Sequence, residues 1–258
     1  MFKLSTIHYP LSTILLLFSL SVSAFDATPL VQFCAAAPSA SGNWWDGLGL
    51  TELWTMDEGT GTNVYGRVGS VNSAFVLSPV WSATGGAGCV FVSVAGYLSP
   101  GDVLDLGTNA SAFGCWVFTT NATPSGAGLL SKNYNSNYGL YLYLSTATKP
   151  ALFMRNAAGS PTVNLTAPSA ISLNEWHHIA AVRQINNGGS HLMVDGAVVL
   201  STTNSLDGVN FNTSQSWQFG SGASTFNGYM GAISFKIGNA TTNGVSDFYN
   251  ASKSRYGK

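Results

Sequence analysis

Paired carboxylates are the first residues in this chain that could do chemistry, because two of them held close together can cleave a glycosidic bond as acid and nucleophile. Asp102 and Asp105 are near neighbours, but they lie in a turn-like stretch bounded by glycines. Beyond Asp57-Glu58 the chain has only two glutamates, Glu52 and Glu175. It also lacks a Gly-x-Ser-x-Gly segment and a recognisable local Cys/His signature. The sequence therefore predicts a protein that is not an enzyme.

Metal binding is the second chemistry to consider, because His177 and His178 are adjacent and His191 follows on the next predicted strand. Side chains of adjacent strand residues point to opposite faces, so His177 and His178 cannot both ligate one ion from one face. Hydrogen-bonded histidines within a sheet are the favoured interpretation, and a pairing of His191 with one of the other two is the alternative.

The acidic residues suit calcium better than an ion bound by histidines, since calcium prefers carboxylate and carbonyl oxygens. The candidate ligands are Asp57, Glu58 and Asp195, supplemented by loop carbonyls. Calcium is the only cofactor that the sequence suggests.

Sugar binding is a third chemistry, and it needs aromatic rings for the apolar face of a sugar and amide or backbone groups for its hydroxyls. The loop 133–138 has that composition, and its candidate sugar ligands are Asn133, Tyr134, Asn135, Asn137 and Tyr138. Further aromatics near predicted turns are Trp44, Trp45, Trp81, Trp217 and Tyr229, of which Tyr229 is included as a candidate. The competing interpretation is that Asn and Tyr are ordinary loop and strand residues here.

The elements that must position these residues are short strands. From Leu50 onward, apolar runs are separated by Gly, Asn, Ser and Pro. Asp195-Gly196 between two apolar runs predicts a hairpin, and Val245–Arg255 predicts a short C-terminal helix. Trp116 and Trp176 are assigned to the core. Because no interdomain linker is visible, the sequence predicts one all-β domain, an antiparallel β-sandwich of about a dozen strands.

The charge of the chain excludes two classes of partner. Lys and Arg number 10 against 11 Asp and Glu, and charged residues make up 8% of the chain, whereas an ordinary soluble domain has about 25%. There is no basic stripe to neutralise nucleic-acid phosphates and no polybasic segment for an anionic membrane. We therefore expect neither nucleic-acid binding nor membrane insertion.

Residues 1–24 have the pattern of a signal peptide. Lys3 supplies a positive start, Leu11–Leu20 is an apolar run, and Val22-Ser23-Ala24 offers the small residues that signal peptidase reads. The apolar run is too short to span a bilayer comfortably. The sequence thus predicts a secreted protein, extracellular or at the cell surface, whose mature chain begins at Phe25.

Three cysteines permit at most one intramolecular disulfide. Cys89 and Cys115 lie in strand-like runs and could face each other across a sheet, while Cys34, near the mature N-terminus, could pair with either of them. The alternative is that all three are small buried hydrophobic residues. Six Asn-x-Ser/Thr sequons are candidate N-glycosylation sites if the source is eukaryotic and turn residues otherwise: Asn109, Asn121, Asn164, Asn212, Asn239 and Asn250.

Several segments carry a family resemblance. Leu53–Thr62 (LWTMDEGTGT) is similar to an opening strand and turn, and Ala112–Val117 (AFGCWV) to a central strand. Asn174–Arg183 (NEWHHIAAVR) is the most distinctive segment, it is followed by His191–Gly196 (HLMVDG), and Phe226–Ile233 is similar to a closing strand. In this order they resemble laminin-G-like domains of the concanavalin A-like lectin/glucanase fold. The resemblance implies a jelly roll over 44–258.

The departures from the family pattern bear on function. The fold hosts lectins, receptor modules, glycosidases and structural proteins. The carboxylate pattern of its glycosidases, Glu-x-Asp-x-x-Glu, is absent. Gly231-Ala232 stands where family members often carry an acidic residue, and Gln184–Gly189 replaces the usual Tyr-Asp-Gly. Acidic residues around a calcium site are therefore fewer than the family pattern implies.

Residues 25–43, which precede the resemblance, are predicted to form an extended N-terminal arm and hinge. The apolar Leu30, Val31 and Phe33 could add the arm as a strand to a neighbouring subunit and build a filament, or the arm could close its own sandwich. The sequence predicts a non-catalytic, extracellular structural or adhesive protein whose partners are copies of itself. The alternative is a carbohydrate-binding module, calcium-assisted, whose partners are extracellular glycans.

Overall fold

The computed structural model describes residues 43–77, 79–82, 89–93, 96–120, 125–132, 139–156, 162–203 and 206–258. Within these ranges the chain forms seventeen strands and one α-helix. The strands are β1 (Glu52–Trp54), β2 (Asn63–Val64), β3 (Ser73–Val76), β4 (Val80–Trp81), β5 (Val90–Val92), β6 (Tyr97–Gly101), β7 (Ser111–Phe118), β8 (Ala127–Lys132), β9 (Gly139–Leu144), β10 (Pro150–Arg155), β11 (Thr162–Thr166), β12 (Trp176–Arg183), β13 (Ser190–Val194), β14 (Ala197–Thr202), β15 (Trp217–Phe219), β16 (Ser224–Thr225) and β17 (Gly228–Ile237). The helix α1 spans Thr242–Ser252, and 3-10 turns span Thr146–Thr148 and Lys253–Tyr256.

The strands form two sheets that pack face to face. One has the order β14-β13-β12-β7-β17-β5-β4 with β1 beside β17, and the other has the order β11-β10-β9-β8-β15-β6-β3-β2 with β16 beside β8. Among the described strands, only β16 and β8 pair in parallel. The predicted all-β antiparallel sandwich is confirmed. It has more than a dozen strands because β2, β4 and β16, with two residues each, are too short to leave an alternating pattern.

Aromatic and aliphatic side chains from both sheets fill the space between them. Trp217 packs against Phe235 with ring centroids 4.9 Å apart, and Phe235 packs in turn against Trp54 at 6.0 Å. Burying a side chain of this size stabilises the fold by about 2–3 kcal/mol. Trp217, which the sequence placed near a turn, is thus a core residue of β15.

A second apolar layer covers the outer face of the eight-stranded sheet. The ring of Tyr256 lies 4.3 Å from that of Trp116 and 4.9 Å from that of Trp176. The indole Nε1 of Trp116 also donates a hydrogen bond to Ser252 Oγ at the end of α1 (2.9 Å). The assignment of Trp116 and Trp176 to buried positions is confirmed, in this outer layer rather than between the sheets.

Two local predictions are also confirmed. Asp195 and Gly196 join β13 to β14 with φ angles of 49° and 77°, as a type I′ hairpin turn requires. The C-terminal helix forms three residues earlier than predicted because the hydroxyl of Thr241 accepts a hydrogen bond from the N–H of Gly244 (3.1 Å) and caps its first turn.

The predicted disulfide between Cys89 and Cys115 is wrong. Cys115 carries a free thiol that points into the core between the sheets, whereas Cys89 packs in the apolar layer on the outer face of the same sheet. Strand β17 also lies between β5 and β7, and it pairs with Cys115 through Ile233. The two sulfur atoms are therefore separated by a strand and by the thickness of the sheet.

The predicted signal peptide and the arm residues Leu30, Val31 and Phe33, together with Cys34, lie outside the described residues. Their roles therefore stay predictions. Asn43 is the first described residue, and it begins a turn in which its N–H donates to Asp46 Oδ2 (3.0 Å). None of the helices in the described ranges combines the length and apolarity that a membrane crossing needs.

Candidate functional site

A polar groove of about 350 Å³ lies on the outer face of the nine-stranded sheet. Its walls come from β6, β15 and β8, which are neighbours in that sheet, and from the segments before and after β15. The lining residues are Tyr97, Ser99, Ser131, Gln215, Ser216, Gln218 and Gly222. None of these seven side chains is charged, so the groove is neutral and rich in hydrogen-bonding groups.

Strand alternation explains why these side chains face outward. Trp217 and Phe219 are fully buried in the core, so Gln218 between them points to the opposite face of β15. On β6, the buried Leu98 likewise directs Tyr97 and Ser99 outward. The same apolar residues that form the core thus build the floor of the groove.

Some of the lining groups are fixed by the protein and others are available to a ligand. The hydroxyl of Ser99 donates to Trp217 O (3.0 Å), and that of Ser131 donates to Ser221 O (2.7 Å). The side chains of Tyr97, Gln215 and Gln218 make no hydrogen bond to other described residues. A ligand in the groove would therefore meet two amides and a phenol whose hydrogen-bonding capacity is unused.

A tyrosine pair forms the adjoining part of the same face. Tyr141 and Tyr143 on β9 stack with ring centroids 4.3 Å apart. Tyr141 is buried, its hydroxyl donates to Gly126 O and accepts from Ala223 N (3.0 Å), and its ring closes against Gly222. Tyr141 is thus a structural support for one wall, while the half-buried Tyr143 stays partly exposed beside it.

The residues expected to bind sugar do not assemble here. Asn133, Tyr134, Asn135, Asn137 and Tyr138 lie outside the described residues, in the segment that directly follows Lys132 at the end of β8. Tyr229 belongs to the other sheet, where its ring packs 5.1 Å from Phe91 and 5.9 Å from Phe118. Tyr229 is therefore not a groove residue.

The candidate calcium ligands are not brought together. Arg67 forms ion pairs with Asp57 and with Glu58 (3.3 Å to Glu58), and Asp195 accepts hydrogen bonds from His177 instead. Burial would raise the pKa of Asp57, but the Thr55 hydroxyl and Arg67 outweigh it and hold that pKa below its usual value. Within the described ranges, no three His, Cys, Asp or Glu side chains cluster as metal ligands would. The predicted calcium site is thus not formed by these residues.

The adjacent histidines point to opposite faces of β12, as predicted. His177 Nδ1 lies 2.8 Å from Asp195 Oδ2, whereas the His178 ring is buried 5.2 Å from that of Phe248. Burial lowers the pKa of His178 to about 4, although the charge of Asp195 opposes this shift. His191 pairs with neither, since it hydrogen-bonds Ser201 Oγ (2.8 Å) and Gly188 O (3.0 Å).

The chain is related in sequence to a known protein family. Residues 93–235, more than half of the chain, match the model of Laminin_G_3, a family of the concanavalin A-like lectin/glucanases superfamily. The chain belongs to this family. The resemblance seen in the sequence is thereby confirmed. No curated protein sequence matches the chain.

Solved structures share the fold of this Laminin_G_3 domain. Domain 4 of AbnA, a GH43 extracellular arabinanase from Geobacillus stearothermophilus in complex with arabinotriose, is 16% identical with a TM-score of 0.60, over 78% of this chain and 98% of that one. A Trypanosoma rangeli sialidase is 12% identical with a TM-score of 0.60, over 88% of this chain and 37% of that one. The botulinum neurotoxin serotype G binding domain is 9% identical with a TM-score of 0.58, over 80% and 51%. The chain thus spans about a third of the sialidase and half of the toxin domain, and these identities show the fold alone.

Three further carboxylates of the chain have structural partners. Asp102 and Asp105 both pair with the buried ammonium of Lys132, at 3.1 and 2.7 Å. Glu52 accepts hydrogen bonds from the backbone N–H groups of Gly69 and Val71 (3.2 and 3.1 Å). Burial raises the pKa of Glu52 although these hydrogen bonds oppose it. Asp102 and Asp105 are thus held together by Lys132, and Glu52 is held by the backbone.

The candidate glycosylation sites that lie within the described residues are exposed. The side chains of five sequon residues are exposed, namely Asn109, Asn164, Asn212, Asn239 and Asn250. Asn212 also accepts a hydrogen bond from the N–H of Gly107 (2.6 Å). Asn121 lies outside the described residues. Exposure is what a glycan requires, and modification itself stays a prediction.

Proposed function

We propose that this domain binds carbohydrate in the groove between β6, β15 and β8. The observation that carries the proposal is the unused hydrogen-bonding capacity of Tyr97, Gln215 and Gln218, which line one neutral concave surface. Amides and phenols placed around a concave surface are the groups that recognise sugar hydroxyls. The exposed part of Tyr143 supplies an aromatic ring on the same face.

The charge of the groove indicates which glycans would fit. Its lining contains no carboxylate and no ammonium or guanidinium group. The nearby Lys132 is buried and already paired with Asp102 and Asp105. A uronate or a sialic acid would lose its hydration without gaining a cation in exchange. We therefore expect a neutral oligosaccharide or polysaccharide.

The structural relatives support the proposal. The arabinanase domain, whose whole length this chain nearly covers, was solved with a neutral trisaccharide, arabinotriose. Asp102 and Asp105 are held by Lys132, Asp57 and Glu58 by Arg67, and Glu52 by backbone N–H groups. Binding of glycans without their hydrolysis is the function that fits both observations.

The test is a binding measurement on matched variants. Neutral polysaccharides, including arabinan, would be titrated by affinity electrophoresis and calorimetry against the wild type, Gln218→Ala and the control Asn227→Ala. Asn227 is exposed outside the groove lining. Loss of one ligand hydrogen bond should weaken binding roughly three- to tenfold in Gln218→Ala and leave Asn227→Ala unchanged. Equal affinity of all three proteins, or retention by no neutral glycan, would contradict the proposal.

We also propose self-association outside the cell as a second function, on a different observation. Strand β14 ends the eight-stranded sheet, and it contains no charged residue. Val198 on this edge is exposed. Edge strands without charges can pair with another strand. The predicted arm and hinge, residues 25–43, could supply that strand from a second copy. Light scattering of chains 25–258 and 43–258 tests this, since only the longer one should form oligomers.

A further inference from the structure

Ser172, His177 and Asp195 form a continuous hydrogen-bonded chain at one end of the sandwich. Ser172 Oγ lies 2.8 Å from His177 Nε2, and His177 Nδ1 lies 2.8 Å from Asp195 Oδ2. A hydroxyl, an imidazole and a carboxylate in this order are the arrangement by which serine hydrolases activate their nucleophile. Neither the groove nor the glycan-binding proposal uses these residues.

Each member of the chain is held by regular structure. Asp195 occupies the turn between β13 and β14, and its second oxygen, Oδ1, accepts the backbone N–H of His178 (2.8 Å). His177 is the second residue of β12. Ser172 follows Ile171, whose N–H donates to Thr148 O (3.2 Å). The three groups therefore meet because two strand ends and one anchored loop converge.

The hydrogen-bond partners define the direction of proton transfer. The carboxylate of Asp195 can only accept, so the proton on the His177 ring lies on Nδ1. In the neutral imidazole, Nε2 is then an acceptor facing the hydroxyl of Ser172. Burial would raise the pKa of Asp195, but the hydrogen bonds from His177 and from the N–H of His178 outweigh it and hold that pKa below its usual value. Asp195 thus stays ionised at neutral pH and keeps His177 in the tautomer of a general base.

The nucleophile is open to solvent, and a cation lies near it. Ser172 is exposed while His177 is buried, so a substrate can reach Oγ from outside. Ser172 Oγ is also within donating distance of Glu175 Oε2 (3.2 Å), which competes with His177 Nε2 for the one hydroxyl proton, and that oxygen accepts from Lys258 Nζ (2.9 Å). The shorter hydrogen bond is the one to His177. The ammonium of Lys258 is therefore held near Ser172 through the Glu175 oxygen that both contact.

We propose that Ser172 is the nucleophile of an acyl-transfer site that acts on carboxylic esters reaching it from solvent. Ser172 Oγ attacks the ester carbonyl carbon while its proton passes to His177 Nε2. The bond from that carbon to the alkoxy oxygen then breaks, and Nε2 returns the proton to the leaving alcohol. Water next attacks the acyl-serine, gives a proton to Nε2, and releases the carboxylic acid as Oγ regains its hydrogen. His177 is the catalytic base, and Asp195 is a positioning residue.

The experiment measures the reactivity of one serine in the full chain. The protein would be treated with a fluorophosphonate probe, and the adduct located by peptide mass spectrometry, with p-nitrophenyl acetate as the turnover substrate. We expect one adduct on Ser172 and turnover that Ser172→Ala loses. Ser172 is exposed, so its replacement by Ala leaves the fold intact. No adduct on Ser172 in the wild type, or unchanged turnover in Ser172→Ala, overturns the proposal.

Asp195→Asn is the variant that separates chemistry from structure. Asn tolerates the positive φ at this turn, and its carbonyl can still accept the N–H of His178. Its amide donates to Nδ1, so the ring proton moves to Nε2 and the base is lost. Labelling of Ser172 should fall roughly a hundredfold or more, and imidazole ¹⁵N spectra should report the changed tautomer. Wild-type labelling rates in a variant with the changed tautomer would overturn the role of His177.

Discussion

The ammonium of Lys132 lies 2.7 Å from Oδ1 of Asp105 although the Lys132 side chain is only 1% exposed. The same ammonium reaches Asp102 at 3.1 Å and donates to the carbonyl of Val103 at 2.9 Å. Lys132 ends β8 and the two aspartates follow β6, which are the two strands on either side of β15. One buried cation therefore ties together both walls of the polar groove.

Lys132→Met is expected to lower the free energy of unfolding by about 1–3 kcal/mol. The Met side chain keeps the packing near Trp217 but leaves the Val103 carbonyl and two carboxylates without their cation. The loss stays below that of a fully buried pair because the aspartate side chains are 44% and 42% exposed. Urea unfolding at pH 7 measures it. Lys253→Met is the control, because the ammonium of Lys253 lies at the surface, and it should lower the free energy of unfolding by at most about 0.5 kcal/mol. Equal losses in the two variants would contradict this role of Lys132.

Gly222→Ala is expected to destabilise the domain by about 1–3 kcal/mol and to weaken glycan binding. A Cβ atom at this position would lie 2.1 Å from Cε2 of Tyr141, a buried ring that cannot retreat. The clash displaces the wall that Gly222 and Tyr141 form. Thermal unfolding and glycan titration measure the two effects.

Gly244→Ala is the matched control for that substitution. An added Cβ there meets nothing nearer than Thr241 Oγ1 at 3.6 Å, and the residue lies in the first turn of α1. Ala favours helix over Gly, so stability should stay equal or rise by up to about 1 kcal/mol. A loss at Gly244 as large as that at Gly222 would show that the contact with Tyr141 is not the cause.

The segment Trp217-Gln218-Phe219 shows which part of the groove could be predicted from the sequence. The alternation of these residues is enough to place Gln218 on the face opposite two aromatic core residues. Which strands lie beside β15 cannot be deduced from such local periodicity. Tyr97, Ser131 and Gln218 meet only because β6 and β8 flank β15, and that pairing depends on contacts between residues far apart in the chain.

The difference between local strand geometry and long-range contacts also explains which predictions about β12 and β7 were correct. The opposite orientation of His177 and His178 follows from strand geometry alone, and it was predicted correctly. The chain of Ser172, His177 and Asp195 was missed because it has no local signature and needs the loop before β12 and the β13–β14 turn to meet. The Cys89–Cys115 pairing was wrong because sequence runs do not reveal that β17 lies between their strands.

Cys115 is expected to resist thiol reagents in the native protein. It is completely buried in the core, and burial raises the pKa of its thiol far above the usual value, so the reactive thiolate is scarce. Iodoacetamide should modify it only after unfolding in urea, as peptide mass spectrometry would show. Rapid labelling under native conditions, or recovery of a Cys89–Cys115 cross-linked peptide, would contradict this placement.

His178 is expected to make the domain less stable in mild acid. Its pKa of about 4 in the folded protein lies below the unfolded value of 6.5, so the unfolded chain binds a proton that the folded chain excludes. Stability is therefore fully present above pH 6.5 and is lost as pH falls towards 4, by about 2 kcal/mol between pH 7 and pH 5. Neither ring nitrogen has a hydrogen-bond partner among the described residues, which makes His178→Phe a compatible replacement. Urea unfolding at the two pH values should show a smaller acid-induced loss in His178→Phe than in the wild type, and an identical loss would place the titrating group elsewhere.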